Sequence, residues 1–263
     1  MKIIDIHAHI FPEKIADKAV KSISDFYETP MQHKGYAESL IKSGDKIGVD
    51  KYLVFSTATK KEQVESINNF ILEETKKYPQ FIGLGTMYLG YENFKEELLR
   101  LKDNNIKGIK LHPDFQKFDF NDEGLFPIYD LLSELNMFVL THAGDYRHGY
   151  SHPEKIAKIA KMFPKLNIIA AHFGGWSQWD IAFNELDLPN VYYDTSSTMG
   201  FAGLDIAKKA FTKYDPSHIF FGSDFPMWDH EKELENLQKL GVSEDIIENV
   251  MGNNFDKFYN SLK

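Results

Sequence analysis

His7 and His9 stand one residue apart in the stretch DIHAHIFP, residues 5–12. The residues before them, KIIDI, are β-branched and apolar and read as a strand. Side chains at i and i+2 of a strand share a face, so both imidazoles point the same way before Pro12 breaks the run. Two imidazoles on one face can hold one divalent metal. An isolated His-x-His also arises by chance at a strand edge, so the rest of the chain has to decide between the two.

Three more histidines and two aspartates occupy comparable places. His112 ends KGIKLH, His142 ends MFVLTH and His172 ends NIIAAH, while Asp194 ends NVYYD and Asp224 ends HIFFGSD. Five of the ten histidines thus close apolar, β-rich runs. Histidines scattered for packing would not choose one end of so many strands. A catalytic zinc-type centre needs about three protein ligands and an open position. His7, His9 and His142 supply neutral imidazoles, and Asp224 supplies a carboxylate that binds the metal or holds its water. A metal so held lowers the pKa of water towards ~7. His172 either takes and gives the proton, in its natural range of pH ~6–7, or is a further ligand.

The elements that must position these groups follow from periodicity. The apolar runs are 2–6, 51–55, 81–87, 107–112, 137–142, 167–172, 190–194 and 218–224, eight in all. Between them lie amphipathic stretches such as KKEQVESINNFILEETKKY, with Val64, Ile67, Phe70 and Ile71 at helical spacing. EKIAKIAKMFP ends at Pro164, a helix stop. Strands alternating with helices imply parallel pairing, because each connection crosses back over the sheet. Eight such units in ~250 residues have the size of a (β/α)8 TIM barrel. An open doubly wound sheet would call for a glycine-rich phosphate loop after an early strand, and IHAHIFP is not one. In a barrel the carboxyl ends of the strands meet on one rim, which carries the active site. The whole chain, 1–263, reads as one barrel domain. Its first unit carries a helical insertion at about 12–48, which either caps the mouth or lies outside as an extra helix.

Composition excludes several classes. The net charge of −9 comes from interspersed charges with no basic block, so nucleic acid is not the expected partner. No apolar run approaches the ~18 residues of a membrane helix, and the N-terminus does not read as a signal peptide, so the expected place is the cytoplasm. With no cysteine, any metal is held by His and carboxylate, which suits zinc best, with manganese or iron as alternatives. Only two of the 30 basic residues are arginine, Arg100 and Arg147.

The motifs DIHAHIFP, GIKLHP, LTHAG, AHFGG and FGSDFPM resemble the strand-end motifs of the amidohydrolase superfamily. They are most similar to the branch that contains aminocarboxymuconate-semialdehyde decarboxylase and related small amidohydrolases and decarboxylases. The resemblance spans nearly the whole chain. It implies a distorted (β/α)8 barrel with one divalent metal at the rim, usually zinc. By that match His7 and His9 are first-strand ligands, His142 the fifth-strand ligand and Asp224 the eighth-strand ligand. His172 matches the sixth-strand histidine that handles water or substrate.

Lys110, two residues before His112 and on its face, has three readings. It is carbamylated and bridges two metals, it binds a substrate carboxylate, or it is a buried structural lysine paired with Asp5 or Asp194. The loops add Arg147, whose fork suits a carboxylate, together with Trp176 and Trp179, and Phe225 and Trp228. Apolar walls with a few polar groups fit a small, carboxylated, cyclic or aromatic substrate. The tryptophans equally suit helix-to-barrel packing or a homodimer contact. Two reactions need the same ligands: hydrolysis through a metal-activated water, and non-oxidative decarboxylation of an aromatic or muconate-like acid. A non-catalytic scaffold would not need an open water site beside His172.

Overall fold

The computed structural model describes residues 1–262. Its strands are β1 Ile4–His9, β2 Lys51–Phe55, β3 Phe81–Gly83, β4 Gly85–Thr86, β5 Gly108–Leu111, β6 Phe138–Thr141, β7 Ile168–Ala170, β8 Val191–Asp194 and β9 Ile219–Phe220. All neighbouring pairs are parallel, in the orders β1-β2-β3 and β4-β5-β6-β7-β8-β9. β3 and β4 are halves of the expected run 81–87, broken at Leu84, whose N–H donates to the Val54 carbonyl at 3.0 Å. On the other side Ile6 N–H donates to Phe221 O at 2.9 Å and His9 N–H to Phe225 O at 2.8 Å. Eight strand positions therefore follow one another round a ring, the distorted (β/α)8 barrel.

Two strand limits differ from the sequence reading. β1 runs on to His9, so the histidine pair lies inside the strand and not beyond it. β9 is only Ile219–Phe220, and the chain to Asp224 is irregular.

The pleat explains how β1 serves both core and site. Ile4 and Ile6 join Leu53, Phe55, Leu84, Phe138, Leu140, Ile169 and Phe220 in the barrel interior, together with Phe255 and Phe258 of the helix Asn254–Ser261. Ala8 and Ile10 belong instead to the layer between strands and helices. A strict period of two would send His7 and His9 outward with Asp5, opposite Ile4 and Ile6. The β1–β2 register slips between Asp5 and Ala8. A slip of this kind re-aims side chains, and it turns His7 and His9 inward above the apolar plug.

The insertion forms the helices Glu13–Tyr27 and Ala37–Gly44. The first is a cap and not an outer addition, since its Ile23 and Tyr27 line the cavity at the rim. The loops after β6 and β7 touch at Gly144 and Gly175. Gly144 has φ +86°, and a Cβ there would come within 2.4 Å of the Gly175 backbone. Gly149, in the same loop, has φ +71° but open space around it.

Gly149→Ala should therefore cost only the left-handed penalty of ~1–2 kcal/mol. Gly144→Ala adds a backbone overlap and should cost clearly more, measured as a larger drop in the denaturant midpoint. Equal losses would show that the two loops do not need their close approach.

Candidate functional site

One cavity at the carboxyl rim gathers His7, His9, His112, His142, His172 and Asp224, walled by Ile23, Tyr27, Met31, Phe115, Pro226 and Met227. The ligand atoms of His7, His9 and Asp224 lie within 4.8 Å of one another. The Asp224 Oδ1 is 3.4 Å from His7 Nε2 and 3.5 Å from His9 Nε2.

The orientation of each ring follows from its partners. His7 Nδ1 donates to Asp194 Oδ2 at 2.7 Å, which leaves the Nε2 lone pair facing the cavity. His172 Nδ1 donates to the Ser196 carbonyl at 3.0 Å, because a carbonyl only accepts. Its Nε2 is then the acceptor and takes the proton of His142 Nδ1 at 3.1 Å. By the same logic His142 Nε2 is a bare lone pair; it is buried and has no hydrogen-bond partner. Burial pushes the His9 and His172 imidazoles down to about 4 and His142 well below its ordinary value, so the rings are neutral at pH 7. Burial alone would raise the Asp224 carboxyl, but His7, His9 and His172 around it hold it well below the carboxylate range. Ser197 Oγ donates to Asp224 Oδ2 and receives Trp228 Nε1–H at 2.8 Å.

This donor set fits a divalent metal. Neutral imidazole nitrogens and an ionised carboxylate converge on one point, and the unpartnered His142 Nε2 is a polar atom that burial makes costly to leave unmatched. Of the two other carboxylate–histidine groups, that of Asp194 is bonded internally. Asp194 is taken up by His7, His172 N–H and Ser196 N–H. In the group of Asp114, His142 and Asp145, Asp145 is bound by Arg147 and Asp114 Oδ2 receives Ser151 Oγ–H, while Asp114 Oδ1 and His142 Nε2 have no hydrogen-bond partner. His142 lines the cavity but lies outside the His7–His9–Asp224 group.

Lys110 is wholly buried, and burial pushes its ammonium down to about 7. Its Nζ lies 3.1 Å from His7 Nε2 and 4.6 Å from the centre of the Phe55 ring. Of its three readings, the structural one does not take the form expected from sequence: among the described residues neither Asp5 nor Asp194 is an ion-pair partner of Lys110. Asp5 is engaged by His230 Nε2 at 3.0 Å and Ser223 Oγ at 2.6 Å.

Arg147 requires a further correction. Its Nε and Nη2 fork onto buried Asp145 at 3.0 and 2.7 Å, and Nη1 donates to the Phe26 carbonyl at 2.8 Å. A guanidinium whose fork is filled inside the chain is not poised to read a substrate carboxylate. Trp176 likewise stands behind the wall, 5.2 Å from the Tyr27 ring and 4.6 Å from Phe201 between ring centres. His112 does reach the cavity; its Nε2 is 2.8 Å from the Tyr27 hydroxyl.

Three groups were not assigned from sequence. Asp194 carried a signal, since it ends a strand as the site histidines do. Ser196 acts through its carbonyl and through its hydroxyl, which donates to Asp194 Oδ1, and a serine just past a strand end carries no pattern of its own. Tyr27 lies on the insertion, where nothing in the local pattern marks it. Burial holds its phenol well above the ordinary range, with Asp224, Asp114 and Asp145 acting in the same direction.

Comparison with known proteins follows the same geometry. The amidohydrolase family model matches residues 4–260. A 5-carboxyvanillate decarboxylase from Sphingomonas paucimobilis superposes with TM-score 0.75 at 14% identity, over 98% of this chain and 99% of that one. A probable 2-pyrone-4,6-dicarboxylic acid hydrolase from Acinetobacter baumannii, with citric acid bound, gives 0.72 at 16% identity over 99% and 100%. A dihydroxybenzoic acid decarboxylase from a Polaromonas species, with manganese and 2-nitroresorcinol bound, gives 0.76 at 14% identity over 100% and 98%. These solved structures share the fold, and the match of the family model along almost the whole length makes this chain a member of the amidohydrolase family.

Proposed function

We propose that this protein is a metal-dependent hydrolase acting on a small cyclic or aromatic acid. The observation that carries the reading is the convergence of His7, His9 and Asp224 within 4.8 Å on a cavity with apolar walls. His7, His9 and Asp224 would hold the metal; His142 lines the same cavity with its unpartnered Nε2 3.9 Å from Asp114 Oδ2, and would become a fourth donor by turning its ring towards that group. A divalent ion bound there supplies Lewis acidity at neutral pH; zinc is the first expectation, and manganese, present in the Polaromonas structure, the second.

The chain's own residues do the rest. Asp194 fixes the His7 ring, and Ser196 fixes the His172 tautomer with its acceptor at Nε2. His172 Nε2 accepts from His142 Nδ1–H at 3.1 Å; once that bond is released, its lone pair would take a proton from the attacking water and return it to the leaving oxygen. Ile23, Met31, Phe115 and Met227 exclude bulk water and offer a flat apolar surface to a ring.

That His172 rests as a neutral base favours hydrolysis, whose first step removes a proton. Non-oxidative decarboxylation is the second reading, favoured by the two decarboxylases of aromatic acids that share the fold. It needs a proton delivered to carbon, so it calls for a group that is protonated at rest. A panel of 2-pyrone carboxylates and hydroxybenzoates separates the two by product: ring-opened acid against released carbon dioxide.

Metal analysis of protein purified without added metal should find about one divalent ion per chain, from the ligand count. Two ions with a carbamate mass on Lys110 would reject the mononuclear centre. No ion after incubation with zinc or manganese would remove the assignment altogether.

Replacing His142 with Ala should weaken metal retention by roughly an order of magnitude or more. Replacing His172 with Ala should leave the metal in place and cut kcat ~10²–10⁴-fold. Equal metal loss in both variants would make His172 a ligand and end its proton-transfer role.

A further inference from the structure

We propose that the Tyr27 hydroxyl donates a hydrogen bond to an uncharged oxygen of the bound substrate, a ring hydroxyl or carbonyl, and that Arg147 is the positioning residue that holds Tyr27 in place. The proposal rests on the reading of the cavity as the site for a small cyclic or aromatic acid, and it names the feature on that ring which the chain selects.

The direction of the hydrogen bonds carries the argument. The Phe115 backbone N–H donates to His112 Nδ1 at 3.3 Å. An imidazole that accepts at Nδ1 carries its proton on Nε2. That Nε2–H therefore donates to the Tyr27 oxygen, 2.8 Å away. The proton of the Tyr27 hydroxyl is left without an acceptor among the described residues. The residue itself lines the cavity beside Ile23 and Met31, so the spare donor belongs to the wall that a ligand meets.

Tyr27 is held by more than one contact. Its ring centre lies 5.2 Å from Trp176 and 5.7 Å from Phe115. The Arg147 guanidinium carbon sits 5.3 Å from the Tyr27 ring and 4.9 Å from the Phe26 ring, while Nη1 grips the Phe26 carbonyl at 2.8 Å. The Asp145 carboxylate locks that guanidinium from behind. Arg147 thus ties the loop after β6 to the last turn of the capping helix and fixes where the hydroxyl points.

The charge around this wall selects the acceptor. The positive charge of Arg147 is neutralised by Asp145. Of the aspartates that act on Tyr27, Asp145 is paired with Arg147 and Asp224 would carry the metal, which leaves Asp114. An anionic oxygen brought to the wall would face the Asp114 carboxylate, with no unpaired Lys or Arg beside it among the described residues lining the cavity. A neutral hydroxyl or carbonyl accepts the bond without that cost, and the substrate's carboxylate is left for the end of the cavity lined by His7, His9 and Asp224.

The test titrates zinc-loaded protein with benzoate and with its 2-, 3- and 4-hydroxy derivatives by calorimetry. In the parent protein a hydroxyl at one ring position should tighten binding ~3–10-fold over benzoate, the share of one neutral hydrogen bond. Tyr27→Phe keeps the ring contacts and should lose that gain, with the benzoate Kd and the zinc content unchanged. Arg147→Lys keeps the charge but cannot grip Asp145 and Phe26 together, and it should lose most of the same gain with benzoate binding retained. A gain that survives in Tyr27→Phe, or equal weakening of every probe, overturns the role of the hydroxyl. A full gain in Arg147→Lys overturns the positioning role alone. A parent protein that binds none of the probes overturns the aromatic-acid reading, and this assignment with it.

Discussion

The Asp194 carboxylate is the interaction on which the rest of the site depends. It is wholly buried at the end of β8. A buried carboxylate is tolerated only when its oxygens are matched. Here Oδ2 receives His7 Nδ1–H at 2.7 Å, and Oδ1 receives the backbone N–H of His172 at 2.9 Å and of Ser196 at 3.1 Å. One charge thereby aligns a ring of the first strand with the chain that leaves the seventh. It holds His172 in its left-handed conformation, φ +60°, a state that persists only where surroundings over-determine it. The acceptor lone pairs on His7 Nε2, beside Lys110 Nζ, and on His172 Nε2, which takes the His142 Nδ1–H bond, both follow from this carboxylate and its neighbour Ser196.

The slip in β1 is the second constraint, and it shows how packing and chemistry share one strand. The interior below the rim must be apolar, so Ile4 and Ile6 face in. The metal-type ligands above it must face in as well. A regular pleat cannot satisfy both over so short a distance, and the irregularity between Asp5 and Ala8 resolves the conflict. Asp5 is turned out of the barrel into its own buried cluster with Ser223 and His230.

Most of the barrel was legible because its signals are local. Apolar β-rich runs, helical periodicity and histidines at run ends each need only a few neighbouring residues. His7, His9 and Asp224 do meet at the rim, although the two histidines face inward only through the slip in β1. The break at Leu84, the short β9 and the slip in β1 were not legible, since they come from closing the ring and not from propensity. Arg147 is the instructive miss. Its scarcity in a lysine-rich chain suggested a ligand contact, yet the partner stands two residues away at Asp145, in the same loop. A rare arginine marks a need for a planar fork; the sequence does not say whether the fork turns towards a ligand or towards the chain.

The arrangement of floor and lid separates what the family shares from what this chain chooses. The floor is built from strand ends, whose places are dictated by the barrel. The lid comes from the insertion between β1 and β2, which the barrel does not constrain, so its residues are free to differ with the ring to be held. Ile23, Tyr27 and Met31 enter from that insertion, and the Asp145–Arg147 pair fastens it to the loop after β6. An arginine spent on the lid is absent from the substrate's list of contacts, and the recognition of charge falls to the metal end. Selectivity at the mouth then rests on shape and on one neutral donor. Such a wall distinguishes rings by where they carry oxygen more than by how much charge they carry.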